Sequence, residues 1–332
     1  MEKLIERYKS LRKKSAIQRS YAGKYAFVGI GNHSLNNLYP VIDYLKIPLK
    51  YIVCKSEQTA ALVNANYPNV VGTTDYEAVL RDEEIIGVFI CTAPAAHFAL
   101  AKRALEAGKR VFAEKPVCLS SAELLELAAL EKEGKVLAAG MQKRFSTCTA
   151  ILKKEMRKVI SYNYRFRVGA YPEGNAVWDI FIHPVDLACY LFGEAEIVSC
   201  VKTAGSVFLH LRHKGGAIGA LELSTEYAWS QAVEELSINT ESGVYEMKDH
   251  LQLTFSAKPK KVAGIPTEKV FPHTPEVKIL FNGSNFLPAF GNNQLVSQGF
   301  FGEIEAFVNE KKNIAVPSSL MNTYKILEEI DL

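Results

Sequence analysis

Two short stretches of this sequence hold residue types that can move a proton or steady a charge. In Asp179-Ile180-Phe181-Ile182-His183-Pro184-Val185-Asp186, helical spacing puts Asp179 and His183 four apart on one face, with Asp186 three further along it. A lone histidine among such apolar neighbours is usually a satisfied core residue, but a carboxylate one turn away can fix its tautomer and raise its basicity. His183 is therefore a candidate general base and Asp179 its orienting partner. In Ala113-Glu114-Lys115-Pro116, Lys115 directly follows an apolar, strand-like run. A lysine at a strand's carboxyl end points into the crevice of a parallel sheet, where its cation can hydrogen-bond a hydroxyl and favour a developing alkoxide.

A second group has the types a dinucleotide needs. Gly29-Ile30-Gly31-Asn32-His33-Ser34 lies between an apolar run and a helical stretch. Glycines there let a pyrophosphate approach the backbone N–H groups at the helix start. Ser34 stands where a third glycine usually falls, so Gly29, Gly31, Asn32, His33 and Ser34 form the candidate phosphate turn. At the end of the next strand, Lys55 and Ser56 can hold a 2′-phosphate by charge and hydrogen bond, which tilts the cofactor from NAD toward NADP. The alternative is an exposed Lys55, with Glu57 taking the ribose hydroxyl of NAD. Thr92-Ala93-Pro94-Ala95-Ala96-His97 opens a helix at the same edge. Thr92, Ala93, Pro94 and His97, with Glu114 and Lys115, complete the candidate cofactor site.

Positioning these residues requires a doubly wound domain. From Lys24 to about Gly140, β-branched or aromatic runs alternate with amphipathic stretches, the pattern of βα units around a parallel sheet. Six strands are expected, among them Tyr25–Ile30, Lys50–Cys54, Gly87–Thr92, Arg110–Ala113 and Val136–Ala139; Gly87–Thr92 is apolar on both faces and so central. Helices are expected over Leu35–Leu45, Glu57–Asn66 with Ser56 as its cap, Tyr76–Arg81, His97–Ala107, and from a Ser120 cap to about Lys132. After about residue 150 the texture changes. Within Val159–Val168, Tyr162, Tyr164 and Phe166 alternate with Asn163, Arg165 and Arg167, a half-buried strand. A helix over Val177–Phe192 precedes runs at Ile197–Lys202, Ser206–Arg212, Ala217–Ser224, Val233–Asn239, Gly243–Lys248 and Leu251–Ser256, a largely antiparallel sheet, with helices Phe300–Glu310 and Ser318–Glu329. The fold class is α/β: a basic extension over 1–23, a dinucleotide-binding domain over 24–146, and an α+β domain with an open, largely antiparallel sheet over 147–332, its C-terminal helix packing back toward the first domain.

The 332 residues are 48% apolar and 23% charged, which suits two domains at roughly 100–200 residues each and excludes a disordered or collagen-like chain. No apolar run approaches the roughly 18–20 residues of a membrane helix. Six cysteines without CxxC or CxxH spacing read as free thiols in a reducing cytoplasm, and no metal site is expected. Eight Lys and Arg against Glu2 and Glu6 give the first 24 residues a charge of +6 in a chain of net +3. This segment has no apolar core or small-residue cleavage site, so it does not read as a signal peptide. Leu4, Tyr8 and Leu11 recur at helical spacing, so it reads as an amphipathic helix packed on its own or a neighbouring subunit, not as a patch for nucleic acid or membrane.

The glycine turn, Glu114-Lys115-Pro116, Gly140-Met141-Gln142-Lys143-Arg144-Phe145 and Asp179-x-x-x-His183-x-x-Asp186 follow one another within residues 24–330. In this order they make the chain resemble the glucose-fructose oxidoreductase, inositol dehydrogenase and rhizopine-catabolism family of NAD(P)-dependent oxidoreductases. The resemblance implies a Rossmann domain, then an α/β domain whose open sheet mediates a homodimer or homotetramer. It also implies oxidation or reduction of a ring carbon of a sugar, cyclitol or sugar nucleotide. By the same resemblance Lys115 contacts cofactor and substrate, with Pro116 often cis; Asp179 and His183 are the substrate-binding and proton-transfer pair; and Arg144 matches the arginine of the Asn/Gln-Arg-Arg-Phe segment. Arg144, Arg165, Tyr171 and the polar loop Asn282–Gln298 are candidate pocket linings that suit an anionic sugar or nucleotide phosphate. Four departures stand out: Ser34, which would crowd or reshape the pyrophosphate turn; Lys55; Trp178, without the usual glycine cluster and expected to narrow or stack on the pocket; and the leading extension. That extension is similar to the segment joining an alcohol-dehydrogenase-like part in two-part relatives, which suggests a partner of that kind. The rival expectation is a non-catalytic dinucleotide or sugar sensor, which would have no need of Lys115, Asp179 and His183 together.

Overall fold

A computed structural model describes residues 2–17, 20–171, 174–271, 276–283 and 293–331. Helix α1 (Glu2–Ile17) leaves Leu4, Tyr8 and Leu11 exposed at 73, 63 and 58%. The expected packing of these side chains on their own chain is thus corrected. Their stripe is narrow and hemmed by Lys3, Glu6, Arg7 and Lys9, so burying it would desolvate charge for little apolar area.

The first domain runs β1 (Lys24–Val28), a π-helical turn (Ser34–Leu38) continuing into α2 (Tyr39–Leu45), β2 (Leu49–Val53), α3 (Glu57–Asn66), β3 (Val71–Thr73), α4 (Tyr76–Arg81), β4 (Ile85–Ile90), α5 (Pro94–Glu106), β5 (Arg110–Glu114), α6 (Ser121–Lys132) and β6 (Leu137–Gly140). Its strands pair in parallel in the order β3-β2-β1-β4-β5-β6. The order reverses between β1 and β4, and open sheets bind ligands over the carboxyl ends at such a reversal. Ser56, Asp75 and Ser120 cap α3, α4 and α6 by accepting from the N–H groups of Thr59, Ala78 and Glu123. Helix α5 starts at Pro94, ahead of the expected His97, because proline's fixed φ and missing N–H suit a first turn.

A 3-10 turn (Gln142–Phe145) and α7 (Thr147–Glu155) lead to β7 (Val159–Arg167), a second π-helical turn (Val177–Phe181) and α8 (Ile182–Phe192). Then follow β8 (Ala195–Lys202), β9 (Ser206–His213), β10 (Ile218–Ser224), β11 (Val233–Thr240), β12 (Gly243–Lys248), β13 (Gln252–Ala257), a small hairpin of β14 (Lys261–Val262) and β15 (Ile265–Pro266), and β16 (Val277–Asn282). The eight-stranded sheet has the order β16-β13-β12-β11-β7-β10-β9-β8. Its neighbours are antiparallel except β7 and β10, which are parallel. Alternation buries Tyr162, Tyr164 and Phe166 and turns Arg165 to the open face, beside Glu222 and Glu235 at 3.4 and 3.9 Å. This corrects Arg165 as a lining of the pocket expected beside Lys115 and His183, since it lines a hollow on the open sheet face with Asn163 and Glu235.

The chain ends in α9 (Gln294–Ser297), α10 (Phe300–Val308) and α11 (Met321–Asp331). Phe307 of α10 packs against Tyr25, Phe89 and Phe112 of the first sheet at 6.2, 5.3 and 5.9 Å. The boundary at 146/147 therefore does not separate two cores: α10, apolar at Ile304, Phe307 and Val308, completes the core that contains Phe27 and Ile52. Among the described residues no helix is long and apolar enough to cross a membrane, no cysteine is paired and no cluster suits a metal ion. Of the polar loop Asn282–Gln298, residues 284–292 lie outside the described residues.

Candidate active site

Over the reversal of strand order lies a groove of about 670 Å³ lined by residues 28–34, Val53, Cys54, Lys55, Thr59, Cys91, Thr92, Ala93 and Ala96. Gly29 has φ +95°, and a Cβ there would stand 2.2 Å from the Cys91 carbonyl, so the turn itself requires glycine. Gly31 is different: nothing lies within 4 Å of where its Cβ would be, which leaves the space a pyrophosphate needs above the backbone. Asn32 and His33 occupy the first turn, whose amides a helix leaves without intrahelical acceptors, the position at which an anion is held. Ser34 is buried; its Oγ accepts from Gly31 N and donates to Gly31 O, both at 2.9 Å. Its expected effect on the turn is corrected accordingly, since a side chain short enough to fold back ties the turn from within and spends its hydroxyl there.

Lys55 lines the groove. The Glu57 carboxylate accepts from Thr74 Oγ1, across on the β3 side, and Ser56 Oγ caps Thr59 N at 3.2 Å. His97 is also corrected as a cofactor contact. It is 1% exposed, its Nδ1 is 2.7 Å from the Pro116 carbonyl, and its Nε2 is 3.3 Å from Thr92 N. Burial lowers its pKa, and the neutral ring pins the Thr92-Ala93-Pro94 loop to the Lys115-Pro116 segment. These residues fit a nicotinamide dinucleotide: open backbone at Gly31, a helix start for the phosphates, and Lys55 at the far strand.

The second half of the site comes from the other domain. Lys115 ends β5 beside a cis Lys115–Pro116 bond, and its Nζ donates across the domain boundary to the Asp179 carbonyl at 2.6 Å. Asp179 lies in the π-helical turn Val177–Phe181. Its carboxylate accepts from Tyr171 OH at 3.2 Å, and among the described residues no hydrogen bond links it to His183. The carboxylate is thus paired with Tyr171 in place of the expected His183. A Cβ at Gly174 would stand 2.2 Å from Asp179 Oδ2, so Gly174 makes room for this carboxylate.

His183 opens α8 and is buried. Burial drives its pKa well below the ordinary histidine value, with the charges of Lys115 and Lys143 adding to the effect against Glu234; the imidazole is neutral at physiological pH. Burial also lowers Lys115, partly offset by Glu114 and Asp179. Asp186 leaves this group. Arg144 Nε and Nη2 grip its carboxylate at 2.8 and 2.6 Å, while Arg144 Nη1 donates to Ser319 Oγ at 2.9 Å. Arg144 is therefore corrected from a pocket lining to a buried strut. Trp178 is corrected likewise: its Nε1 donates to Asp331 at 2.8 Å and its ring packs on Tyr324 at 5.2 Å, away from the pocket.

Sequence reasoning missed Lys143 and Glu234. The two form a buried ion pair, with Tyr164 donating to the same carboxylate and His250 Nε2 at 3.1 Å. Burial alone would push Glu234 up, but Lys143 and His250 outweigh it and hold the carboxyl well below the ordinary glutamate range. The available signal was the lysine inside Gln142-Lys143-Arg144-Phe145; Glu234 sits in an unremarkable strand, 91 residues away.

Residues 23–141 match the profile of the GFO_IDH_MocA oxidoreductase family, with its NAD-binding Rossmann fold. The chain is 33% identical over 147 residues to the uncharacterized oxidoreductase YhhX of Escherichia coli, covering 40% of this chain and 43% of that protein. It is 30% identical over 194 residues to scyllo-inositol 2-dehydrogenase (NAD(+)) of Bacillus subtilis, covering 50% and 56%. The matched stretches span about half the length of these curated relatives. In fold the chain is similar to a levoglucosan dehydrogenase solved with NADH and L-sorbose, with a TM-score of 0.76 at 17% identity, over 93% of this chain and 95% of that one.

Proposed function

Because residues 23–141 match the NAD-binding Rossmann-fold model of the Gfo/Idh/MocA oxidoreductases, we propose that the chain is a nicotinamide-dependent dehydrogenase of that family. Its substrate would be a secondary alcohol, or the corresponding ketone, on a sugar, cyclitol or sugar-nucleotide ring. One observation carries this reading. Lys115, just past the carboxyl end of β5, donates to the peptide carbonyl of Asp179, four residues before His183, and its charge acts on the His183 imidazole. A cation at the edge of one domain is thereby tied to the segment of the other that carries the buried imidazole.

The bound nicotinamide would supply hydride transfer. The chain's own residues handle the proton and the charge. His183, kept neutral by burial and flanking cations, accepts the substrate hydroxyl proton at a ring nitrogen. The Lys115 ammonium steadies the oxygen as it gains negative charge. Tyr171 and Asp179 form a hydroxyl–carboxylate pair that orients neighbouring ring hydroxyls. Lys55, the groove's cation at the end of β2, favours a 2′-phosphate and hence NADP over NAD. A relative that acts on scyllo-inositol and a neighbour solved with L-sorbose support a polyhydroxylated ring or chain as substrate.

The test is nicotinamide absorbance on incubating the full chain and either dinucleotide with sugars, cyclitols and sugar nucleotides. Turnover with at least one, abolished in a Lys115→Ala variant, is expected. Tight dinucleotide binding with no turnover across the panel would favour a sensor instead.

A further inference from the structure

Helix α10 carries a glutamate, Glu303, that the proposed reaction does not use. It is 2% exposed, and neither carboxyl oxygen has a hydrogen-bond partner among the described residues. Register fixes what it faces. Phe307, one turn later on the same helix face, packs on Phe112 at 5.9 Å. Phe300, one turn earlier, meets the His33 ring edge-on at 5.9 Å. Phe112 and Glu114 lie two apart on β5 and share a sheet face, and His33 Nε2 is 3.3 Å from Glu114 Oε1. Glu303, between Phe300 and Phe307, therefore sits over Glu114. Gly140, paired with Glu114 in the sheet, provides the room, since a Cβ there would stand 3.1 Å from the Glu114 carboxyl carbon.

Glu114 Oε1 has no aligned donor either, because His33 reaches it at ion-pair distance only. Two carboxylates buried together repel each other and have no hydrogen between them. One proton resolves both problems, since it turns one acid into a donor for the orphan oxygen of the other. We infer that Glu303 is a protonated positioning residue: it hydrogen-bonds Glu114 and so locks the Lys115 end of β5, through His33, to the glycine turn. Burial and the Glu114 charge raise the Glu303 pKa well above the ordinary range. At Glu114 burial is outweighed by His33 and Lys115, and the pKa falls. The proton thus belongs to Glu303. The positioning role rests on the cofactor groove proposed above; the protonation does not.

Infrared difference spectra of the full chain at neutral pH, wild type against Glu303→Gln, are expected to show a protonated-carboxyl band that the variant lacks. Absence of that band overturns the inference. Calorimetric titration with NADPH and NADH reads the positioning role. Glu303→Gln keeps a donor and is expected to bind within about threefold of wild type, whereas Glu303→Leu keeps the volume, loses the donor and binds about tenfold more weakly, the scale of one hydrogen bond to a charged group. Should the leucine variant not fold, Glu303→Asp, which draws the hydroxyl back by one methylene, is expected to show the same loss. Wild-type affinity in the folded leucine or aspartate variant overturns the positioning role. A wild-type chain that binds neither dinucleotide removes the groove assignment and the positioning role with it, while the infrared band still decides the protonation.

Discussion

In the proposed reaction His183 and Lys115 carry opposite demands, since one must stay neutral to accept a proton and the other charged to hold an oxyanion. Burial lowers both pKa values, which keeps His183 unprotonated near neutral pH. His183 is the base only when unprotonated, so its depressed pKa keeps activity intact as pH falls through the ordinary histidine range. The acid limb of the kcat/KM profile should lie below that range, and the alkaline limb, where Lys115 loses its proton, should come earlier than for a free lysine. His183→Ala and Lys115→Ala should each lower kcat by about 10²–10⁴-fold, the usual scale for acid–base groups, with dinucleotide affinity in calorimetry nearly unchanged. Lys55→Glu should cut the preference for NADPH over NADH by about 10- to 100-fold, the scale of a hydrogen bond between charged groups. An unchanged ratio of the two dissociation constants would remove Lys55 from the ribose site. These residue types were legible in sequence because each chemistry admits few side chains.

At the scale of elements, the caps were equally legible. Ser56 and Ser120 begin α3 and α6 where expected because the side-chain oxygen that stops one conformation starts the next within three residues. The two π-helical turns were not legible. Both occupy sequences whose apolar spacing fits an ordinary helix, and the i→i+5 bonding that marks them leaves no pattern in the spacing. In the second of them Asp179 pairs with Tyr171. Gly174 is the element-scale consequence: Gly174→Ala would drive a methyl into the Asp179 carboxylate, 2.2 Å away. The variant should raise KM for the sugar-like substrate while leaving dinucleotide affinity unaltered, a split that steady-state kinetics resolves.

For the whole molecule, buried ion pairs join distant parts of the chain. Arg144 and Asp186 are both under 8% exposed, so Arg144→Ala leaves an unpaired buried charge and should cost about 3–5 kcal/mol in denaturant unfolding. A well-packed Arg144→Met/Asp186→Leu chain should recover most of it. Glu234 gains its charge more easily folded than unfolded, because Lys143 and His250 overcome burial. Its contribution is complete above the unfolded glutamate pKa and is lost as pH falls below it toward the depressed folded value. Glu234→Gln should therefore be less stable than wild type near neutrality, with a shallower loss of stability on acidification. The succession of strands and helices along the chain, the glycine turn and the residue types proposed for the chemistry were legible in the sequence alone, since period, caps and side-chain type act over a few residues. Only the tertiary structure decided that Arg144 and Trp178 are struts, that α10 belongs to the first core, and that Lys143, Glu234 and Glu303 surround the site. Those roles depend on which groups meet once water is excluded, and residues such as Lys143 and Glu234, far apart in the chain, leave no local pattern when they meet.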